Sequence, residues 1–196
     1  MTVSVHLWAD YVCPFCDITD ELLDRVVDSM DDVEIVHHPH ELRPHPTPTL
    51  RPEDEYLPSI WQRSVYPMAK THGIDLRLPT ISPQPYTELA FRGFHYAIDQ
   101  GLGHQYHRRL MSAFFRDNLD IGQEQVLVQL AGQVGLDEND FRQALSAPEF
   151  AERHRSALAE SAAMDITVVP TIIIGERRIN GVASEAVLRR AIEEAR

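Results

Sequence analysis

Val3, Val5 and Leu7 alternate with Ser4, His6 and Trp8, so residues 3–8 predict a strand with one buried face. After it, Ile18, Leu22, Leu23, Val26, Val27 and Met30 recur at helical spacing. They predict a helix that begins at Cys13-Pro14-Phe15-Cys16 and ends near residue 30. "VEIVHHP", residues 33–39, predicts a second strand. Strand, helix and strand in that order open a parallel sheet. From Tyr86 to about Ala163 the apolar period is helical throughout, with Asp137 placed to cap one helix and Ser146 with Glu149 to form a capping box for the next. The last thirty residues turn back to β. "TIII" is a continuous apolar run, Gly175-Glu176 suits a two-residue type II′ turn, and "RRIN" returns. Ser184 then caps a final helix whose inward residues are Val187, Leu188, Ala191 and Ile192.

Ten of the thirteen prolines fall between residues 39 and 85. Proline removes a donor and disfavours helix just before it, so this stretch predicts an extended connection with at most short helices. "IWQRSVYPMAKTHGI" is the place for one of them. The chain as a whole reads α/β: βαβ over residues 1–50, ββα over 164–196, and an inserted helical domain over 51–163.

Composition narrows the function. Eighteen basic against thirty acidic residues give a formal charge of −12, which argues against nucleic-acid or anionic-membrane partners. No run of about eighteen apolar residues predicts a membrane span. "MTVSVHLWADYVCPFC" lacks the basic start and long apolar segment of a secretory leader, so a cytoplasmic setting is expected, where thiols are mostly kept reduced.

Both cysteines of the chain lie in one CPFC motif. A metal site, a structural disulfide and a redox centre are each open to such a pair. Cys13 follows a strand and opens a helix, with Pro14 at the first helical position. Backbone N–H groups at a helix tip favour a thiolate there, and Cys16, one turn further in, faces the buried side. An exposed nucleophile beside a sheltered thiol suits disulfide exchange. Zinc would draw on His37, His38, His40 and His45, but the helix after Cys16 is too long for a compact finger and His37 and His38 point to opposite faces of a strand. No metal and no organic cofactor are expected. A second constellation is Val169-Pro170-Thr171: proline directly before a buried strand suits either a cis Val169–Pro170 bond or a trans proline at the strand's first residue.

CPFC at a helix start, inserted helices and a late Val-Pro-Thr together resemble the thioredoxin-like fold in its DsbA branch. "LMSAFFRDNLDIGQEQVLVQLAGQVGLD" and "VVPTIIIGERRINGVAS" are similar to the FrnE-like subgroup of dithiol–disulfide oxidoreductases. The resemblance implies a thioredoxin-like domain with a central mixed sheet, Cys13 as nucleophile, Cys16 as resolving thiol and Pro170 as a cis proline beside them. Val169 would then pair with an extended substrate segment, with Pro14 and Phe15 completing its seat. Partners would be thiol- or disulfide-bearing proteins or small molecules, glutathione among them as an exchange partner.

This chain departs from the subgroup in having Phe15 rather than Trp between the cysteines, and "DIT" where a Tyr-Ile-Gly-like stretch usually follows. Asp10, Asp17 and Asp20 add negative charge near the thiols, so a weaker oxidant than the periplasmic relatives is expected. Trp8, Tyr11, Phe15 and Trp61 are candidates to line a groove beside Cys13. Two other classes remain in view: a kappa-class glutathione transferase or hydroxychromene-carboxylate isomerase type, which usually carries serine where Cys13 stands, and a non-catalytic thioredoxin-like peptide-binding module. Nothing in the residues selects a monomer or a homodimer.

Overall fold

The computed structural model describes residues 2–196. Four strands, β1 Val3–Ala9, β2 Val33–Pro39, β3 Thr171–Ile174 and β4 Arg177–Asn180, form one mixed sheet in the order β2-β1-β3-β4. β1 is central. It pairs in parallel with β2 (Val3 opposite Val33) and antiparallel with β3 (Val5 opposite Ile174), and β4 returns antiparallel on β3. The alternation read from the sequence is obeyed: Val5 and Leu7 are fully buried, while Ser4 and His6 keep partial contact with solvent.

Helix α1, Pro14–Val27, buries Ile18, Leu22, Leu23 and Val26. It packs beside α9, Glu185–Glu194, which Ser184 caps by accepting from the Val187 N–H. Leu188, Ala191 and Ile192 face inward on α9, but Val187 is exposed, a correction to the expected inward set. The buried stripe runs through Leu188, Ala191 and Ile192, and Val187 stands at its margin, about 40° beyond Ala191. Between β3 and β4 the backbone turns at Gly175 with φ 56°, a value that costs glycine nothing.

The intervening helices begin in the proline-rich stretch. α2 Tyr56–Ile60, a π-helical turn Trp61–Val65 and α3 Tyr66–His72 run end to end. The wide turn lies just before Pro67, which has no N–H to close an α-helical bond to residue 63. Then follow α4 Glu88–Asp99, α5 Gly103–Phe115, α6 Glu124–Gln133, α7 Glu138–Ser146 and α8 Pro148–Ala163. Asp137 caps α7 through the N–H groups of Asn139 and Asp140, both at 2.9 Å. The expected capping box at Ser146 does not form. Ala147 is the cap of α8, Pro148 sets its first turn, and the Ser146 hydroxyl donates to the Gln143 carbonyl instead. Among the described residues, no helix is long and apolar enough to cross a membrane.

The inserted helices meet α1 along a polar seam. Arg116, at the end of α5, grips both oxygens of Asp17 at 2.9 and 3.0 Å and also reaches Glu21. Arg108 pairs with Glu21 and Asp24. Asp20 accepts from His37 of β2 and His107 of α5, both at 2.8 Å. The acidic residues of α1 are therefore interface residues with partners.

Candidate active site

Cys13 is the N-cap of α1, in an extended conformation, and its carbonyl accepts from the N–H groups of Cys16 and Asp17. Pro14 occupies the first helical position, where no intrahelical N–H is needed. The N–H of Cys13 donates back to the Asp10 carbonyl at 3.1 Å. Both cysteines are free thiols. Cys16 is wholly enclosed, and burial, together with the neighbouring Cys13, pushes its thiol well above the usual range. It is therefore held as a proton-bearing thiol in the reduced pair.

Cys13 is only 4% exposed, where an exposed nucleophile was expected from its place at a helix tip. The proline-rich stretch accounts for the difference. Leu42, Arg43, Leu50 and the residues of α2 stand over the tip of α1 and enclose a cavity of about 230 Å³. Cys13, Pro14, Phe15 and Val169 all line it, so four residues singled out in sequence do converge. The Sγ of Cys13 lies 3.9 Å from the Val169 carbonyl oxygen, across 156 positions of chain. The Val169–Pro170 peptide is cis. Pro170 itself is buried behind Val169, with its carbonyl accepting from Gly181 N–H at 2.8 Å and the Thr171 hydroxyl donating to the Val168 carbonyl at 2.7 Å.

The aromatic residues divide. Phe15 and Trp61 border the cavity. Trp8 lies on the other face of the sheet, stacked on His38 at 4.4 Å, and Tyr11 is enclosed between Phe91 and His107. Position on β1 decides this: Trp8 shares the face of Ser4 and His6, opposite to α1. The four histidines proposed as zinc partners also scatter. His37 bonds Asp20, His38 meets His6, the His40 backbone N–H donates to the Ala9 carbonyl, and His45 packs on Tyr86. Among the described residues, the one cluster of three groups able to hold an ion contains neither cysteine.

Asp10 is the acid that bears on the thiols. Of the three aspartates expected to place charge there, Asp17 and Asp20 are matched by Arg116 and the two histidines. Asp10 has no cationic partner and borders the cavity with Cys13. Its Oδ2 accepts from the Leu42 N–H at 2.7 Å, while its Oδ1 has no hydrogen-bond partner. Burial raises the carboxyl to about 6 in spite of that backbone bond. Glu41, next to Leu42, accepts from His154 of α8 at 2.8 Å, and both are almost fully buried. A chain of contacts thus runs from α8 through Glu41 and Leu42 to Asp10, whose carbonyl holds Cys13. Sequence reading missed Glu41 and His154, since no local motif marks a carboxylate and an imidazole 113 positions apart.

A CxxC dithiol at a helix tip, faced by a Val-Pro-Thr turn on a mixed four-stranded sheet, defines a thioredoxin-like protein. Residues 4–193 match the DSBA-like thioredoxin domain, and the chain belongs to that family. It is 41% identical to the uncharacterized protein YwbO of Bacillus subtilis (strain 168) over 196 residues, 99% of this chain and 98% of the relative. Among solved structures, it is similar to a probable DsbA oxidoreductase, SCO1869, from Streptomyces coelicolor (22% identity, 98% and 89% of the two chains, TM-score 0.81). It is also similar to a 2-hydroxychromene-2-carboxylate isomerase (16% identity, 97% and 95%, TM-score 0.81). A third likeness is to the cytosolic disulfide reductase DsbM of Pseudomonas aeruginosa with GSH (16% identity, 97% and 94%, TM-score 0.72). At such identities these likenesses concern the fold alone.

Proposed function

We propose that the protein is a thiol–disulfide oxidoreductase that exchanges disulfides with thiol- or disulfide-bearing proteins or small molecules through Cys13 and Cys16. The observation that carries this reading is the 3.9 Å approach of Cys13 Sγ to the Val169 carbonyl, with Cys16 enclosed behind it. In the reducing direction, the Cys13 thiolate attacks one sulfur of a substrate disulfide. The substrate S–S bond breaks, one substrate thiolate leaves, and a mixed disulfide with Cys13 remains. Cys16 then gives up its proton, which the first substrate thiolate takes, and attacks Cys13 Sγ. The second substrate thiolate leaves, Cys13–Cys16 becomes a disulfide, and two electrons have passed to the substrate. Run backwards, the same steps oxidise a dithiol. Val169 lies free of the sheet ladders beside the reacting sulfur, in position to pair with an extended substrate segment.

Glutathione belongs to this reading as an exchange partner, and so does a cytosolic location. The glutathione-bound cytosolic reductase DsbM, a neighbour in fold, supports both. The isomerase neighbour keeps the kappa-class alternative in play at the level of fold. Against it stand two free thiols one helical turn apart, where that type usually presents a serine. A purely peptide-binding role would leave Cys16 without work.

The test is reduction of insulin disulfides by dithiothreitol and reactivation of scrambled ribonuclease, each with the intact chain and with Cys13→Ser. Catalysis by the intact chain and its loss in the variant is the expected result. Equal rates with and without the intact protein would refute the reading.

A further inference from the structure

We propose that Asp20, His37 and His107 form a binding site for one divalent transition-metal ion, zinc by ligand chemistry, at the junction of α1, β2 and α5. The site shares no residue with the dithiol centre and does not depend on the function proposed for it.

The three ligand atoms converge. His37 Nε2 and His107 Nε2 each lie 2.8 Å from a different oxygen of Asp20, and all three ligand atoms fall within 4.8 Å of one another. Their side chains are 0 to 5% exposed, and each comes from a different element of the fold. Two imidazoles and one carboxylate are a three-ligand set that zinc and its neighbours in the first transition row accept, leaving a fourth position open. On a tetrahedral ion with bonds of about 2.0–2.2 Å the ligand atoms stand roughly 3.3 Å or more apart, so an entering ion would open the 2.8 Å pairs by about half an ångström.

Surroundings favour the same reading. A metal on His107 Nε2 requires the ring proton to sit on Nδ1, which faces the Tyr11 hydroxyl at 3.3 Å. That hydroxyl oxygen can accept, so Tyr11 is placed as the outer partner that orients a metal-bound imidazole. An open depression lined by Asp24, Ile35 and His104 lies on the surface beside the cluster. His104 is half exposed, its ring stands 5.8 Å from that of His37, and its Nε2 is 3.9 Å from the Asp24 carboxylate. Arg108 already matches the Asp24 carboxylate there, and His104 or water would complete the coordination. The ion would clasp the inserted helices to the sheet.

The test uses the full chain carrying Cys13→Ser and Cys16→Ser, so that thiolates cannot bind metal. After treatment with a chelator, the protein is titrated with Co²⁺ and Zn²⁺. One equivalent of Co²⁺ is expected, with visible d–d bands and no thiolate-to-cobalt charge transfer, and Zn²⁺ should displace it and raise the melting temperature. On the same background, Asp20→Asn or His107→Gln should abolish binding, and Tyr11→Phe should weaken it about tenfold. If the buried variants do not fold, His104→Ala at the surface should still weaken binding. The proposal is overturned if the folded cysteine-free chain binds neither ion at sub-millimolar concentration. It is equally overturned if binding persists undiminished in His107→Gln, which would assign the ion to surface histidines such as His6 and His38.

Discussion

Cys13 Sγ and the carbonyl oxygen of Val169 stand 3.9 Å apart, although one residue opens the first helix and the other precedes the third strand. On the proposed function, a substrate held by that backbone edge would meet this sulfur. Cys16→Ala should therefore accumulate mixed disulfides through Cys13, because the attack that releases them has been removed. Non-reducing electrophoresis and mass spectrometry of the purified variant check this. Cys13→Ser/Cys16→Ala should carry no adduct.

Asp10 sets the charge at this site. Its carboxyl, raised to about 6 by burial, is ionised at pH 7 and opposes a thiolate in the reduced pair. Asp10→Asn removes that charge while retaining an acceptor for the Leu42 N–H. The midpoint potential at pH 7 should rise by about 30 mV, a tenfold change in the exchange constant. Below pH 5 the carboxyl of the intact protein is protonated, so the gap between the two should close. Glutathione redox titrations at the two pH values measure it. The intact protein should also titrate well below the roughly −120 mV of DsbA.

The seam between α5 and α1 is a stability element. Arg116→Met would leave Asp17, which is fully enclosed, without its bidentate partner. Stranding a buried charge costs about 3 kcal/mol or more. Urea unfolding should show that loss, whereas Arg155→Met, on an exposed pair with Glu152, should change stability by under about 1 kcal/mol.

Acid should weaken the fold below neutrality. Burial lowers both His38 and His95 to about 4, below the ordinary value of 6.5. The unfolded chain therefore binds more protons than the native one between those values. Their contribution is complete above pH 6.5 and is lost as pH falls towards 4. Asp10 opposes them, since its raised value lets the native state bind a proton first between about 6 and 3.8. Buried His107, also lowered to about 4, acts with these two histidines against the one carboxyl, so the net is a loss. After discounting half-buried His38 for solvent screening, it is about 2 kcal/mol or more from pH 6.5 to 4. Urea midpoints across that range, in the presence of a chelator, check the sign and size.

The sheet, α1 and the convergence of Cys13 with Val169 were legible because each rests on a local pattern: alternation, helical period, and a proline before an apolar run. Asp17 and Asp20 were not. Read locally they are polar residues on a surface helix, and only the placement of Arg116 and His107 some ninety positions away turns them inward. The burial of Cys13 was hidden for a related reason. The proline-rich stretch roofs the helix tip, and its local sequence does not say how closely it approaches Cys13. Ser146 shows the opposite limit, a correct motif outvoted by Pro148 two residues later.

The β1–β3 ladder joins the first ten residues to a strand that begins at Thr171. During synthesis Cys13 leaves the ribosome 156 positions ahead of the backbone edge that faces it. A nascent chain therefore displays sulfur without the Val169 edge, and the two meet only when that ladder closes.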